Sequence, residues 1–177
     1  MGKNTEKIPH LTVQLVEKAD DLQIVRDLAA EIWPETFREI LSPAQIKYMM
    51  QMMYSPEVMI QEFNGGYVFE IYSLNRQFAG YTVWSKYELP GAAKLHKIYL
   101  KSQFHGCGIG SKMLQHVIES TRNAGFNELR LNVNKHNAKA MKSYLRNGFQ
   151  KIEAVKIDIG DNFYMDDFVM ARELVLG

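Results

Sequence analysis

One glycine-rich stretch, residues 95–114, constrains the fold of this chain more than any other. The segment 94–100 ends in an apolar, aromatic and β-branched run that is typical of a buried strand. Gly106, Gly108 and Gly110 then alternate, and the apolar residues after them recur at helical spacing. A glycine turn that opens a helix leaves backbone N–H groups free at a positive dipole end, so the stretch predicts a site for a phosphate or pyrophosphate.

Several kinds of glycine turn compete for this stretch. A Walker loop needs a glycine followed by Lys and then Ser or Thr, and the stretch has no such sequence. A dinucleotide fingerprint fits Gly106 and Gly108, but Ser111 takes the place of its third glycine. Two interpretations stay open, a phosphate-binding loop of another kind and a plain turn that only connects strand to helix.

The run His105-Gly106-Cys107-Gly108-Ile109-Gly110 resembles motif A of the GNAT acetyltransferase superfamily. That motif is Gln/Arg-x-x-Gly-x-Gly/Ala, placed between a strand and a helix. The first position is His105, where the family usually has Gln or Arg. Gln103 gives a second alignment, two residues earlier.

A second motif strengthens the resemblance. Residues 131–149 look like GNAT motif B, Leu-x-Val followed by Asn-x-x-Ala-x-x-x-Tyr-x-x-x-Gly-Phe. Every defined position is filled, by Leu131, Val133, Asn137, Ala140, Tyr144, Gly148 and Phe149. On the two motifs together the chain is identified as a member of the family, with the resemblance covering residues 67–174.

The resemblance and the order of predicted elements imply an α/β fold with a mixed sheet of about seven strands, flanked by about four helices. We expect a single domain over residues 1–177, with a flexible tail at 1–10, acceptor-side helices within 11–66 and an acetyl-CoA-binding core at 67–174. Pro34 is expected to interrupt the first long helix, with either a kink or a new short helix over residues 31–40, because proline lacks the N–H that an interior position needs.

The family resemblance implies acetyl-CoA as cosubstrate, with its pantetheine arm lying between two splayed strands and its pyrophosphate on the glycine turn. Tyr144 would lie near the sulfur and act as the acid that protonates the leaving thiolate. The implied cofactor contacts are Ile98, Tyr99, Leu100, His105, Gly106, Cys107, Gly108, Ile109, Gly110, Ser111, Asn137 and Tyr144.

Acetylation of an amine also needs a base. A primary amine with a pKa near ~10.4 is neutral in only about one molecule in ~2,500 at pH 7, so a proton must be removed before attack. Many relatives use a Glu in the central strand, and residues 94–100 contain none. His96 has a suitable intrinsic pKa and by alternation shares a face with Ile98 and Leu100. A hydrogen-bonded structural role for His96, a loop base at Glu88 and a water relay stay open.

The acceptor is expected to be a primary amine of a small molecule, with a polyamine as the specific candidate. Residues 33–37, 40–46 and 165–170 look like segments of bacterial spermidine/spermine acetyltransferases. A polycation needs carboxylates and aromatic faces. The predicted substrate contacts are therefore Glu31, Glu35, Phe37 and Trp84.

Composition and charge limit the partners and the cellular location that we expect for this chain. A net charge of +1 gives no bulk attraction to nucleic acid, and no apolar run approaches the ~20 residues of a membrane span. Cys107 is the single cysteine, which fits a reducing compartment and predicts a cytoplasmic location. We expect no metal, and a homodimer is conceivable. A non-catalytic acyl-CoA-binding regulatory module and an acetyltransferase for protein N-termini remain as alternatives.

Overall fold

The computed structural model describes residues 10–174. In this range the strands are β1 (Leu11–Leu15), β2 (Val68–Leu74), β3 (Gln77–Lys86), β4 (Ala92–Leu100), β5 (Glu128–Asn134), β6 (Gln150–Gly160) and β7 (Phe163–Glu173). The α-helices are α1 (Leu22–Phe37), α2 (Pro43–Tyr54), α3 (Pro56–Asn64), α4 (Ile109–Asn123) and α5 (Ala138–Arg146). Short 3-10 turns occupy Ala19–Asp21 and Ser102–Phe104. The predicted tail lies almost wholly outside the described residues.

The seven strands form one mixed sheet in the order β1-β2-β3-β4-β5-β7-β6. Only β4 and β5 are parallel neighbours, as a βαβ crossover through α4 requires, and the other neighbours are antiparallel. The predicted α/β fold with a seven-stranded mixed sheet is confirmed. The described residues contain five α-helices rather than about four.

Helices cover both faces of the sheet. On one face, α1, α2 and α3 pack on β2 and β3 around the buried residues Trp33, Met59 and Phe69. On the other face, α4 packs on β4 and β5 around Leu114 and Leu131. Any opening in the middle of the sheet therefore connects two separate sides of the molecule.

No new helix begins at Pro34, because α1 runs through that residue to Phe37. Trp33 and Phe37 are 1% and 7% exposed, so their burial in the core holds the turn on both sides of the proline. Pro34 itself is exposed, and its carbonyl still accepts a hydrogen bond from the N–H of Arg38 at 3.1 Å. Core packing thus offsets the hydrogen bond that proline cannot donate.

No helix within residues 10–174 is both long and apolar enough to cross a membrane.

Candidate active site

The central strands separate halfway along their length. β4 pairs with β5 only where Ala92–Leu95 lies beside Glu128–Leu131. Beyond that point β4 continues beside β3, while β5 continues beside β7. A cavity of about 800 Å³ opens at the divergence and is lined by residues from both sides of the sheet.

Main-chain groups of β4 face this opening. The N–H of Lys101 donates to the carbonyl of Ala79 at 2.8 Å, which directs Lys101 toward β3. Because neighbouring residues of a strand alternate in direction, the N–H and C=O groups of Ile98 and Leu100 point away from β3, into the cavity. An extended ligand arm can therefore hydrogen-bond to this strand as a further strand would.

The glycine loop, residues 105–111, forms one end of the cavity. Gly106 and Gly108 have φ angles of +82° and +77°, and no atom of residues 10–174 lies within 4 Å of where a Cβ would stand on either. No described side chain caps the N-terminus of α4. The first N–H groups of α4 are therefore free for an anion, as the sequence predicts.

Two residues of the loop, Cys107 and Ile109, do not line the cavity. Cys107 is exposed, and its thiol lies 3.7 Å from the carbonyl oxygen of His105. Ile109 is 1% exposed in the core beside β2 and β3, so its side chain anchors the loop. The side chains of both residues lie outside the cavity lining, whereas Gly106, Gly108, Gly110 and Ser111 belong to it.

His105 holds the loop through both ring nitrogens. Nε2 lies 2.8 Å from the carbonyl oxygen of Leu100, and Nδ1 lies 2.8 Å from Nζ of Lys139. The carbonyl can only accept and the ammonium can only donate, so the ring is neutral with its proton on Nε2. Lys139, which the sequence analysis missed, thereby brings a cation to the loop. Gln103 lies outside the cavity lining, which favours the alignment that begins at His105.

The motif B residues Asn137 and Tyr144 line the same cavity. The side-chain oxygen of Asn137 accepts the N–H of Ala140 at 3.1 Å and caps α5, which fixes the start of that helix. The ring of Tyr144 packs against Phe149 with centroids 5.9 Å apart. Burial raises the pKa of Tyr144, so its phenol stays protonated at neutral pH and can donate a hydrogen bond.

His96 lines the cavity in a setting that favours a structural role. Its Nε2 lies 2.8 Å from the hydroxyl of Ser85, and its ring stacks on Tyr67 with centroids 4.6 Å apart. Burial, together with the charges of Lys94 and Lys97, lowers the pKa of His96 to about 3. Such an imidazole is a weak proton acceptor for an alkylammonium group.

The expected sharing of one face by His96, Ile98 and Leu100 is wrong. A β-bulge interrupts the pairing of β3 with β4 between Val83 and Trp84, and His96 is the extra residue opposite that step. A bulge turns the side chain of its extra residue out of the regular alternation. Ile98 and Leu100 pack on the α4 side, while His96 contacts a residue that packs with α1–α3.

Of the predicted acceptor residues on α1, only Phe37 lines the cavity. Glu31 is exposed and forms an ion pair with Lys101 at 2.7 Å, and Glu35 is also exposed. Neither glutamate lines the cavity, because the apolar side of α1 faces inward and the glutamates lie on its exposed side.

The fourth predicted acceptor contact, Trp84, belongs to the core. It is 8% exposed and packs against Phe126 with ring centroids 6.3 Å apart. Its side chain lies on the α4 side of β3 and outside the cavity lining.

The acceptor side of the cavity is the wall formed by α1, α2 and the β6–β7 hairpin. Its lining residues are Trp33, Thr36, Phe37, Leu41, Gln45, Met49, Met53, Tyr164, Met165 and Asp167. Asp167, on β7, was not among the predicted site residues. The signal was available, since a charged residue at an inward position of a strand needs a reason to be there.

Asp167 is a buried carboxylate, only 4% exposed. Burial raises the pKa of Asp167, and a hydrogen bond from the side chain of Asn132 lowers it in part. Tyr99, on β4, also lines the cavity, and burial raises the pKa of its phenol. No cluster of three or more His, Cys, Asp or Glu side chains that could hold a metal occurs among residues 10–174.

Residues 22–149 match the Acetyltransferase (GNAT) family. This chain belongs to that family. The match begins at the first helix and ends at Phe149, so it includes the glycine loop and both motifs.

Sequence relatives carry acetyltransferase names. An uncharacterised N-acetyltransferase of Mycobacterium tuberculosis is 32% identical over 82 residues, 46% of this chain, and the match spans about half (52%) of that relative's length. A spermidine N(1)-acetyltransferase of Thermoplasma acidophilum is 28% identical over 83% of this chain and 91% of its own length. A 5-NmdU N-acetyltransferase of Pseudomonas phage PaMx11 is 32% identical over 66% of this chain and 81% of its own length.

Solved structures share the fold. The PaiA N-acetyltransferase of Thermoplasma acidophilum, in complex with coenzyme A, superposes with a TM-score of 0.73 at 21% identity, over 92% of this chain and 99% of its own. The ribosomal-protein-S18-alanine N-acetyltransferase of Escherichia coli gives 0.71 at 17% identity, over 95% and 96%.

Proposed function

We propose that this protein transfers the acetyl group of acetyl-CoA to a primary amine of a small molecule, by direct attack in a ternary complex. The observation that carries the proposal is the opening between β4 and β5, which joins the glycine loop to the acceptor side. Such an opening lets two substrates enter from opposite sides of the sheet and meet inside it.

The residues of the cavity fit acetyl-CoA. Free N–H groups at the start of α4, with Lys139 beside them, would hold the pyrophosphate. The outward-facing main chain of Ile98 and Leu100 would hold the pantetheine arm, although the carbonyl of Leu100 already accepts from His105. Acetyl-CoA would supply an activated thioester to the cavity.

Tyr144 would supply the proton that the leaving sulfur needs. Because burial raises the pKa of Tyr144 above the ~10 of a free phenol, its hydroxyl stays protonated and can donate a hydrogen bond to sulfur as the thiolate develops. The main-chain N–H of Ile98 would stabilise the negative charge that develops on the carbonyl oxygen. An intact Tyr144 in the cavity favours an enzyme over a module that only senses acyl-CoA.

The identity of the amine rests on different support. The spermidine N(1)-acetyltransferase relative makes a polyamine a natural acceptor to test. Glu31 and Glu35 lie outside the cavity, so the acidic face that would hold a polycation gives no support. We also propose a cytoplasmic setting, since the exposed Cys107 suits a reducing compartment, and a homodimer stays a prediction.

A matched pair of glycine variants tests the cofactor site. Gly108→Trp fills the loop where the pyrophosphate would lie and should abolish acetyl-CoA binding measured by titration calorimetry. Gly66→Trp is the control, because Gly66 has a similar φ of +84° and open space around it but lies outside the cavity lining. Equal affinity of the two variants for acetyl-CoA would contradict the proposed site.

A further inference from the structure

Asp167 is the only carboxylate among the described residues that line the cavity. The cationic side chains of that lining lie elsewhere or are neutralised. Lys139 and Arg146 belong to α5, toward the glycine loop, and Nζ of Lys97 bonds to the carboxylate of Glu62 at 2.5 Å. The acceptor side therefore presents one negative group to an incoming molecule.

Neighbouring side chains affect the charge of Asp167 without occupying the place of a ligand. On β5, the side chain of Asn132 lines the same cavity and lowers the pKa of Asp167. Lys94 on β4 and Lys135 after β5 attract the charge, and Asp166 repels it. Lys135 is itself bonded to Asp166, and Lys94 lies over the ring of Tyr87, so neither ammonium group bonds directly to Asp167.

The rest of the acceptor side is apolar or uncharged. Phe37, Met49 and Met53 supply an aromatic ring and two thioethers, and Gln45 is tied to the carbonyl of Tyr164 at 2.8 Å. Aromatic and thioether surfaces pack against rings and alkyl chains. A second ammonium group in this space would be desolvated without a partner.

We propose that Asp167 binds the ammonium group of the acceptor and takes its proton, and that the acceptor is a primary amine with one buried charge and an apolar body. This inference rests on the proposed function. It gives the reaction a proton acceptor in the absence of a central-strand glutamate and with His96 engaged by Ser85.

The proposed reaction balances in protons and electrons without a further reagent. The ammonium group loses one proton to the carboxylate of Asp167, and the freed lone pair forms the C–N bond at the thioester carbonyl carbon. The C–S bond breaks with its electron pair on sulfur, which takes the proton of Tyr144. The second proton of the nitrogen returns to the Tyr144 oxygen, and Asp167 releases its proton to solvent.

The variant Asp167→Asn keeps the shape and removes the charge. With 2-phenylethylamine as acceptor we expect kcat to fall at least about 10²-fold, the usual contribution of a positioned base. Acetyl-CoA affinity should be unchanged, which also shows that the variant is folded. Asp166→Asn is the matched control, since Asp166 is the adjacent acid, bonded to Lys135 and outside the cavity lining.

A weakly basic acceptor separates proton removal from a structural role. O-benzylhydroxylamine is already neutral at pH 7, so Asp167→Asn should acetylate it at a rate close to that of the unmodified enzyme. The unmodified enzyme should lose kcat/KM for 2-phenylethylamine as the pH falls through the raised pKa of Asp167, and this acid limb should be absent with the variant.

Each of the other possible results would contradict the role of Asp167, the acceptor class or the proposed function. Undiminished turnover of 2-phenylethylamine by Asp167→Asn would overturn the role of Asp167 and leave the proposed function standing. Equal loss with both acceptors would show a structural role and overturn it as well. Turnover of spermidine alone by the unmodified enzyme would overturn the apolar acceptor class. Failure to acetylate any amine, with acetyl-CoA bound, would overturn the proposed function itself.

Discussion

The hydroxyl of Tyr144 carries the most specific chemical claim at the scale of single residues. Tyr144→Phe keeps the packing against Phe149 and removes only the proton donor. We expect kcat to fall by about 10²-fold, with the dissociation constant for acetyl-CoA unchanged. Tyr87→Phe, outside the cavity lining, is the control. Equal kcat for Tyr144→Phe and the unmodified protein would remove the acid role.

Whether the position of a site residue can be predicted from the sequence depends on whether backbone conformation or side-chain packing determines it. Backbone requirements are visible in a sequence, so Gly106, Gly108 and the cap at Asn137 lie where the motifs indicate. The direction of a side chain depends on packing between distant elements. The outward direction of Glu31 on α1 and the inward direction of Asp167 on β7 are therefore not visible in the sequence pattern.

At the scale of secondary-structure elements, β3 and β4 approach each other closely at Gly80. A Cβ on Gly80 would lie 2.3 Å from the carbonyl oxygen of Tyr99 and 3.1 Å from Cα of Leu100. Gly80→Ala must therefore displace the strand that faces the cavity. We expect a loss of about 1–3 kcal/mol in the free energy of unfolding, measured in urea, and weaker acetyl-CoA binding.

A methyl group in open space serves as the stability control for Gly80→Ala. Gly110 lies in the first turn of α4 with no described atom within 4 Å of a Cβ, so Gly110→Ala should keep or raise stability, by at most about 1 kcal/mol. If Gly80→Ala proves as stable as Gly110→Ala, the strands have more freedom than the structure indicates.

The order and type of the secondary-structure elements can be predicted from the sequence more readily than the irregularities within them. Ser42 and Ser55 each precede a proline and cap α2 and α3, an arrangement that is typical of helix starts. The passage of α1 through Pro34 and the bulge at His96 depend on tertiary contacts, which override local preference. The bulge is what turns His96 from the predicted face, and no periodicity in β4 indicates it.

His96 links the site to the pH dependence of the whole molecule. Its pKa is about 3 in the folded protein, below the ~6.5 of an unfolded chain, so the unfolded state binds the proton first. This stability contribution is complete above about pH 6.5 and is lost as the pH falls toward 3. At pH 5 the loss is about 2 kcal/mol or less. Urea unfolding from pH 7.5 to 5 should show a shallower decline for His96→Gln, and parallel curves would contradict the assignment.

At the scale of the whole molecule, the central claim is that two substrates meet through the opening between β4 and β5. The most direct test is release of free CoA thiol from acetyl-CoA by the unmodified protein, with and without a primary amine. The account predicts thiol release that requires the amine and yields the acetylated amine in equal amount. Bound acetyl-CoA with no release in the presence of 2-phenylethylamine, spermidine or amino-terminal peptides would contradict it and indicate an acyl-CoA-binding module instead.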